Sequence, residues 1–128
     1  MCLYLEQGYK EKIAEEDVVC YKVLMIRSDK YVSPYNLKYV WNVSSDNIVT
    51  DKYDTPTIDK FSNYYKLRYW FHTFKDLCDA EELCKFMGRG KNKIFKCVIP
   101  KGTAYYEGFQ NVYREYASKC LRIIEKID

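Results

Sequence analysis

Only one stretch of this chain spaces its apolar residues on a helical period, and β-forming runs flank it on both sides. Between Leu77 and Met87 the positions Leu77, Ala80, Leu83, Cys84 and Met87 fall on one stripe of a 3.6-residue repeat. Thr73 is placed to cap this helix, with Asp76 three residues on. Asp79, Glu81 and Glu82 load its early turns, and Gly88 is placed to end it. Before it lie Val18–Ile26 (VVCYKVLMI), Leu37–Val43 (LKYVWNV) and Tyr64–Phe74 (YYKLRYWFHTF). After it come Ile94–Ile99, stopped by Pro100, and Cys120–Ile124. Strands, one helix and more strands do not alternate β with α. The predicted fold is α+β: a mixed or mostly antiparallel sheet with one main helix packed on it.

The remaining segments read as connections. Gly8–Asp17 is polar enough for a short helix or arm, and Pro34 makes Tyr31–Tyr35 an extended crossing piece. Ser44–Ser62 looks like a long surface connection in which Asn47–Thr50 can pair briefly. Lys101–Gly108 reads as a turn and short extended piece, and Asn111–Ser118 as a loop or helical turn. With no repeat or linker visible, residues 1–128 form a single expected domain.

Composition matters for what it excludes. Hydrophobic residues at 48% suffice for a core. A net charge of +3 and a pI of 8.4 fall short of a duplex nucleic-acid binder, whose domain pI usually exceeds about 9, but leave room for one small anionic ligand. No run approaches the ~18–20 apolar residues of a membrane span. Met1–Leu5 is too short for a secretory apolar region before Glu6 and Gln7, so the six cysteines are expected as reduced thiols in a cytoplasm. They form no close C-x-x-C pair, and one histidine cannot complete a zinc site, so no metal or cofactor is expected.

Catalytic signals are sparse. His72 is the single histidine and sits inside a strand-forming run. Gly88-Arg89-Gly90-Lys91 follows a helix and is continued by Asn92, so it is no Walker loop; with Lys85, Lys93 and Lys96 it makes a local basic concentration. Glu107 is one acid in an aromatic setting, where a glycosidase needs two. Fourteen tyrosines supply flat walls with polar tips. The candidate ligand site is Trp41, His72, Lys101, Tyr105, Tyr106 and Arg114, gathered where Pro100 ends a strand. Tyr105 and Tyr106, adjacent in an extended piece, must point to opposite faces.

Several segments carry a resemblance: Asp17–Leu24 (DVVCYKVL), Ser33-Pro34-Tyr35, His72-Thr73-Phe74 leading to Ala80, Lys96–Thr103 (KCVIPKGT), Tyr105–Gly108 (YYEG), Tyr116-Ala117-Ser118 and Ile123-Ile124. In this order they resemble a family of small, mostly uncharacterised bacteriophage and prophage proteins. Trp70-Phe71 before His72 and the lack of a glycine after Trp41 depart from it. The resemblance implies a phage accessory protein in a bacterial cytoplasm. Proteins of this kind often counter host defence, one way being to sequester a cyclic or ADP-ribose-type nucleotide signal. The leading expectation is therefore a non-catalytic protein that binds such a nucleotide-like ligand. The alternatives are an inhibitor docking on a host protein and a nucleotide-modifying enzyme using His72 or Glu107. Homo-oligomerisation is left open.

Overall fold

The apolar run that starts at Val18 becomes the longest strand of a single sheet, which extends on both sides of it. The computed structural model describes residues 2–33, 36–41, 48–87 and 91–127. Nine strands precede the helix: β1 (Cys2–Glu6), β2 (Lys12–Ile13), β3 (Val18–Arg27), β4 (Lys30–Ser33), β5 (Asn36–Trp41), β6 (Ile48–Thr50), β7 (Thr57–Lys60), β8 (Tyr64–Arg68) and β9 (Phe71–Phe74). The helix is α1 (Leu77–Phe86). It is followed by β10 (Asn92–Ile99), β11 (Ala104–Gln110), β12 (Tyr113–Ser118) and β13 (Cys120–Lys126). Spatial order is β6-β13-β10-β3-β9-β12-β11-β1-β8-β7. β2 pairs with β11, and the β4–β5 pair extends from β3.

The α+β expectation is overturned. Among the described residues the chain is mostly β, with 13 strands in one antiparallel sheet and a single ten-residue helix. The helix covers only one patch, where Ala80, Leu83 and Cys84 meet Val23, Phe74 and Ile94. Segments read as connections turn out to be strands, because antiparallel neighbours supply pairing that local pattern does not show. Gly8–Asp17 contributes β2, Ser44–Ser62 contributes β6 and β7, and Asn111–Ser118 contains β12. The signals lay in the turns. Ser28 and Asn111 adopt φ of 51° and 56° in two-residue hairpin loops, and Asp29 follows Ser28 at 62°, the left-handed geometry such loops require. Thr73 does not cap α1: it lies buried in β9, and Asp76 occupies the cap without a side-chain bond. Pro34, Tyr35, residues 42–47 (including the end of the Leu37–Val43 run) and the Gly88-Arg89-Gly90 segment lie outside the described residues.

Closure of the sheet positions its interior. Tyr113–Lys126 is extended throughout except at Lys119, so β12 and β13 are two halves of one bent strand. β12 pairs with β9 and β13 with β10, and both β9 and β10 pair with β3. The pairing therefore returns on itself as a small ring. Its inner face is Cys20, Leu24, Trp41, Phe71, Phe95, Cys97, Ile99, Tyr116, Leu121 and Ile123, with Ala14 joining from beside β2. The opposite face of β11 and β12 meets β1 and β8 through Leu3, Leu5, Leu67, Trp70, Tyr106 and Ala117.

Gly108 permits that second contact. A Cβ there would lie 2.3 Å from the Tyr4 carbonyl oxygen and 2.9 Å from Leu3 Cγ. The backbone oxygen cannot yield as a flexible side chain can. Gly108→Ala should destabilise by about 3 kcal/mol or more. Gly102→Ala meets open space and only a left-handed φ of 86°, and should cost about 1 kcal/mol. Urea unfolding compares them, and similar losses would contradict the close approach of β1 and β11.

Candidate functional site

Lys22 is the one charged residue in the VVCYKVLMI run, and strand alternation sends it to the same face as Cys20 and Leu24. It is therefore buried in the ring, with 8% of its surface exposed. Its Nζ donates to the His72 carbonyl oxygen at 2.9 Å and stands 5.2 Å from the Trp41 ring centroid. A desolvated cation over an indole face is worth about 2 kcal/mol, which offsets part of the cost of burial. Burial pulls the pKa of this ammonium below its ordinary value. Burial also raises both neighbouring thiols, Cys20 to about 12 and Cys97 well above its ordinary value, so both stay protonated and inert.

Register places Lys22 in a row. Phe95 lies opposite it on β10, and Thr73 faces it on β9, one step beyond the Tyr21–Phe74 pair. Tyr116 is opposite Thr73, and Glu107 is opposite Tyr116. The row Phe95, Lys22, Thr73, Tyr116, Glu107 thus crosses five strands on one face, dry at Lys22 and wet at Glu107. At the wet end Glu107 bonds Lys75 at 3.1 Å and Lys12 at 3.4 Å. Partial burial pushes the Glu107 carboxyl up, but the two lysines outweigh it and hold the pKa below its ordinary value. Arg114, exposed and two residues before Tyr116, emerges on the same side, and its carbonyl accepts the Lys75 N–H at 3.1 Å. Two lysines therefore share one carboxylate, with Arg114 farther along the same face of β12. Tyr105 leans edge-on against Tyr116 at 5.6 Å, and burial raises the Tyr116 hydroxyl to about 12.

The opposite face of β9 and β12 holds two more buried groups. His72 and Glu115 are diagonal neighbours there, 8% and 1% exposed. His72 Nε2 is 2.8 Å from the Tyr69 carbonyl oxygen, which can only accept, so Nε2 carries the proton and Nδ1 is bare. Neither His72 Nδ1 nor Glu115 Oε2 has a partner among the described residues. Burial drives both toward neutrality: the His72 pKa falls to about 4 and that of Glu115 rises to about 8.

Of the residues selected from sequence, the structure brings Trp41, Tyr105 and Arg114 to the row's face. His72 joins through its carbonyl, its ring lying on the other side, buried and unsuited to proton exchange with a ligand. Tyr106 is not part of this group: it packs in the second cluster against Trp70 at 5.8 Å and Tyr9 at 6.0 Å. Lys101 is also elsewhere, exposed in the turn after β10, with its N–H donating to Asp17 Oδ1 at 2.9 Å. Lys12, Lys22, Lys75, Glu115 and Tyr116 were missed. The signal for Lys22 was its shared parity with Cys20 and Leu24; Glu115 and Tyr116 were hidden by reading β12 as a loop. Among the described residues, no three His, Cys, Asp or Glu side chains gather as a metal site, and no helix is long and apolar enough to cross a membrane. Comparison with protein-family models, with curated proteins and with solved structures found no match.

Glu115 gives the interior a pH signature. Unfolded, its carboxyl ionises near 4.5, whereas folded it holds its proton to about 8. Stability from this group is thus complete below about pH 4.5 and is lost as pH rises toward 8. His72 acts in the other sense, lowering stability as pH falls from 6.5 to about 4. Glu115→Gln should remove the first slope and keep the second. Urea midpoints at pH 5 and pH 8 should show wild type losing ground relative to the variant as pH rises; parallel profiles would contradict the buried carboxyl.

Proposed function

We propose that this chain is a phage-type accessory protein that binds, without transforming, a small anionic nucleotide-like ligand, and so sequesters a host defence signal. The observation that carries the reading is the wet end of the polar row. Lys12 and Lys75 both pair with Glu107, and Arg114 follows on the same face of β12; with Asp76 also acting on Tyr116, this end keeps one positive charge that a phosphate would offset. Tyr105 and Tyr116 border this end with ring surface. The resemblance to phage proteins supplies the biological context. His72 and Glu107, the candidate acid–base residues, are respectively buried against a carbonyl and held by two lysines, which favours binding over chemistry.

A second reading, an inhibitor that docks on a host protein, has its own support. Phe61 stacks on Tyr64 at 5.0 Å, and Tyr64 contacts Tyr4 at 5.5 Å, all three more than a third exposed beside the terminal strand β7. Exposed aromatic clusters next to a sheet edge suit protein partners.

Purified protein titrated with AMP, ADP-ribose and a cyclic dinucleotide at low salt separates the readings. Binding of at least one should raise the melting temperature, and Lys75→Gln with Arg114→Gln should cut that rise by more than half while leaving the unliganded melting temperature within a few degrees, since partly exposed ion pairs contribute little. No shift with any nucleotide, or an equal shift in the double variant, would sink the proposal. A ligand recovered chemically altered would point to an enzyme instead.

A further inference from the structure

The Tyr64–Phe74 run, read from sequence as one strand, is broken into β8 and β9 by Tyr69 and Trp70, whose φ values are 79° and 63°. Two consecutive bulky residues in the left-handed region are rare and costly. Two hydrogen bonds hold them there, and a third anchors the shared acceptor. His72 Nε2 donates to the Tyr69 carbonyl at 2.8 Å, Trp70 Nε1 to the Tyr53 carbonyl at 3.0 Å, and Lys119 Nζ to that same carbonyl at 2.5 Å. Trp70 gains burial by this turn, with 6% of its surface exposed. Tyr69 gains none. It stays 42% exposed and stacks on Tyr53, itself 39% exposed, with ring centroids 4.3 Å apart and planes at 29°. Lys52 Nζ stands 5.3 Å from the Tyr53 ring, while Arg68, immediately before Tyr69, is ion-paired with Asp59 at 2.9 Å. A strained turn thus displays a flat double ring, with Lys52 beside it, to solvent.

We infer that the Tyr53–Tyr69 stack is a second, separate station that takes an unpaired nucleobase on its open ring face, with Lys52 meeting the attached phosphate. Bases of every kind stack on exposed tyrosine, and a neighbouring ammonium matches the phosphate charge. The base can come from a free nucleotide or a single strand. The inference does not rest on the charged end at Glu107. Ser118, beside Lys119, is four residues along β12 from Arg114, about 13 Å at strand rise.

The test titrates AMP, ribose 5-phosphate and a strand of ten thymidines into the Lys75→Gln/Arg114→Gln protein, where the charged end is disabled. AMP should bind about five- to a hundredfold tighter than ribose 5-phosphate, the contribution of one stacked base. Tyr69→Gly removes the ring and suits the left-handed backbone, so it should fold at least as well and lose that ratio. Tyr53→Leu should lose it too. A strand that binds tighter than AMP identifies single-stranded nucleic acid as the source, and equal binding identifies free nucleotide; either supports the station. No preference for AMP, or one that survives Tyr69→Gly, overturns it and leaves the stack to a protein partner. Failure of the Glu107 end would appear separately, as nucleotide binding in wild type indifferent to Lys75 and Arg114.

Discussion

An ammonium group inside a small β ring must be matched from within the fold, and much of this architecture follows from how Lys22 is matched. Its nitrogen has the His72 carbonyl and the Trp41 ring within reach. The first requires β9 to lie directly beside β3; the second requires the β4–β5 pair to fold back over the ring so that Trp41 reaches the interior. An unmatched buried charge would cost several kcal/mol, comparable to the whole stability of a domain this size. The bent strand from Tyr113 to Lys126 then closes the ring and brings Tyr116 and Glu107 into line with the lysine.

Much of the strand content was legible and its organisation was not. VVCYKVLMI and IFKCVI read correctly as strands because both are continuous apolar runs. The helix was visible from its stripe, although Thr73 belongs to β9 and not to its cap. What failed was the weight given to that helix. β6, β7, β11 and β12 are built from polar and tyrosine-rich segments whose stability comes from neighbours distant in sequence, such as Asp51 N–H to Lys119 O at 2.9 Å. No local period encodes such a partner. The site was half legible for the same reason. Trp41, Tyr105 and Arg114 were chosen as ring or cation types and do share a face, whereas Tyr106, chosen with its neighbour, points the other way.

The segments singled out in the sequence acquire a physical meaning in this fold. YKVL supplies Lys22, HTF supplies the carbonyl it binds, YYEG supplies Glu107 and the side-chain-free Gly108, and YAS supplies Tyr116 and the bend into β13. Together they specify the row and the two packed faces around it. The row separates a dry cation at Lys22 from the wet lysines paired with Glu107.

The two carboxylates on either side of β11 and β12 report that separation most directly. Glu115 sits with its carboxyl in the dry layer, while Glu107 lies among cations at the surface. Carboxyl carbon-13 resonances followed through a pH titration resolve them individually. The account predicts that Glu115 titrates near 8 and Glu107 below the ordinary carboxylate value, and that added AMP moves the Glu107 resonance and leaves Glu115 in place. Two carboxyls titrating together in the ordinary range, or a Glu107 signal indifferent to AMP, would contradict it.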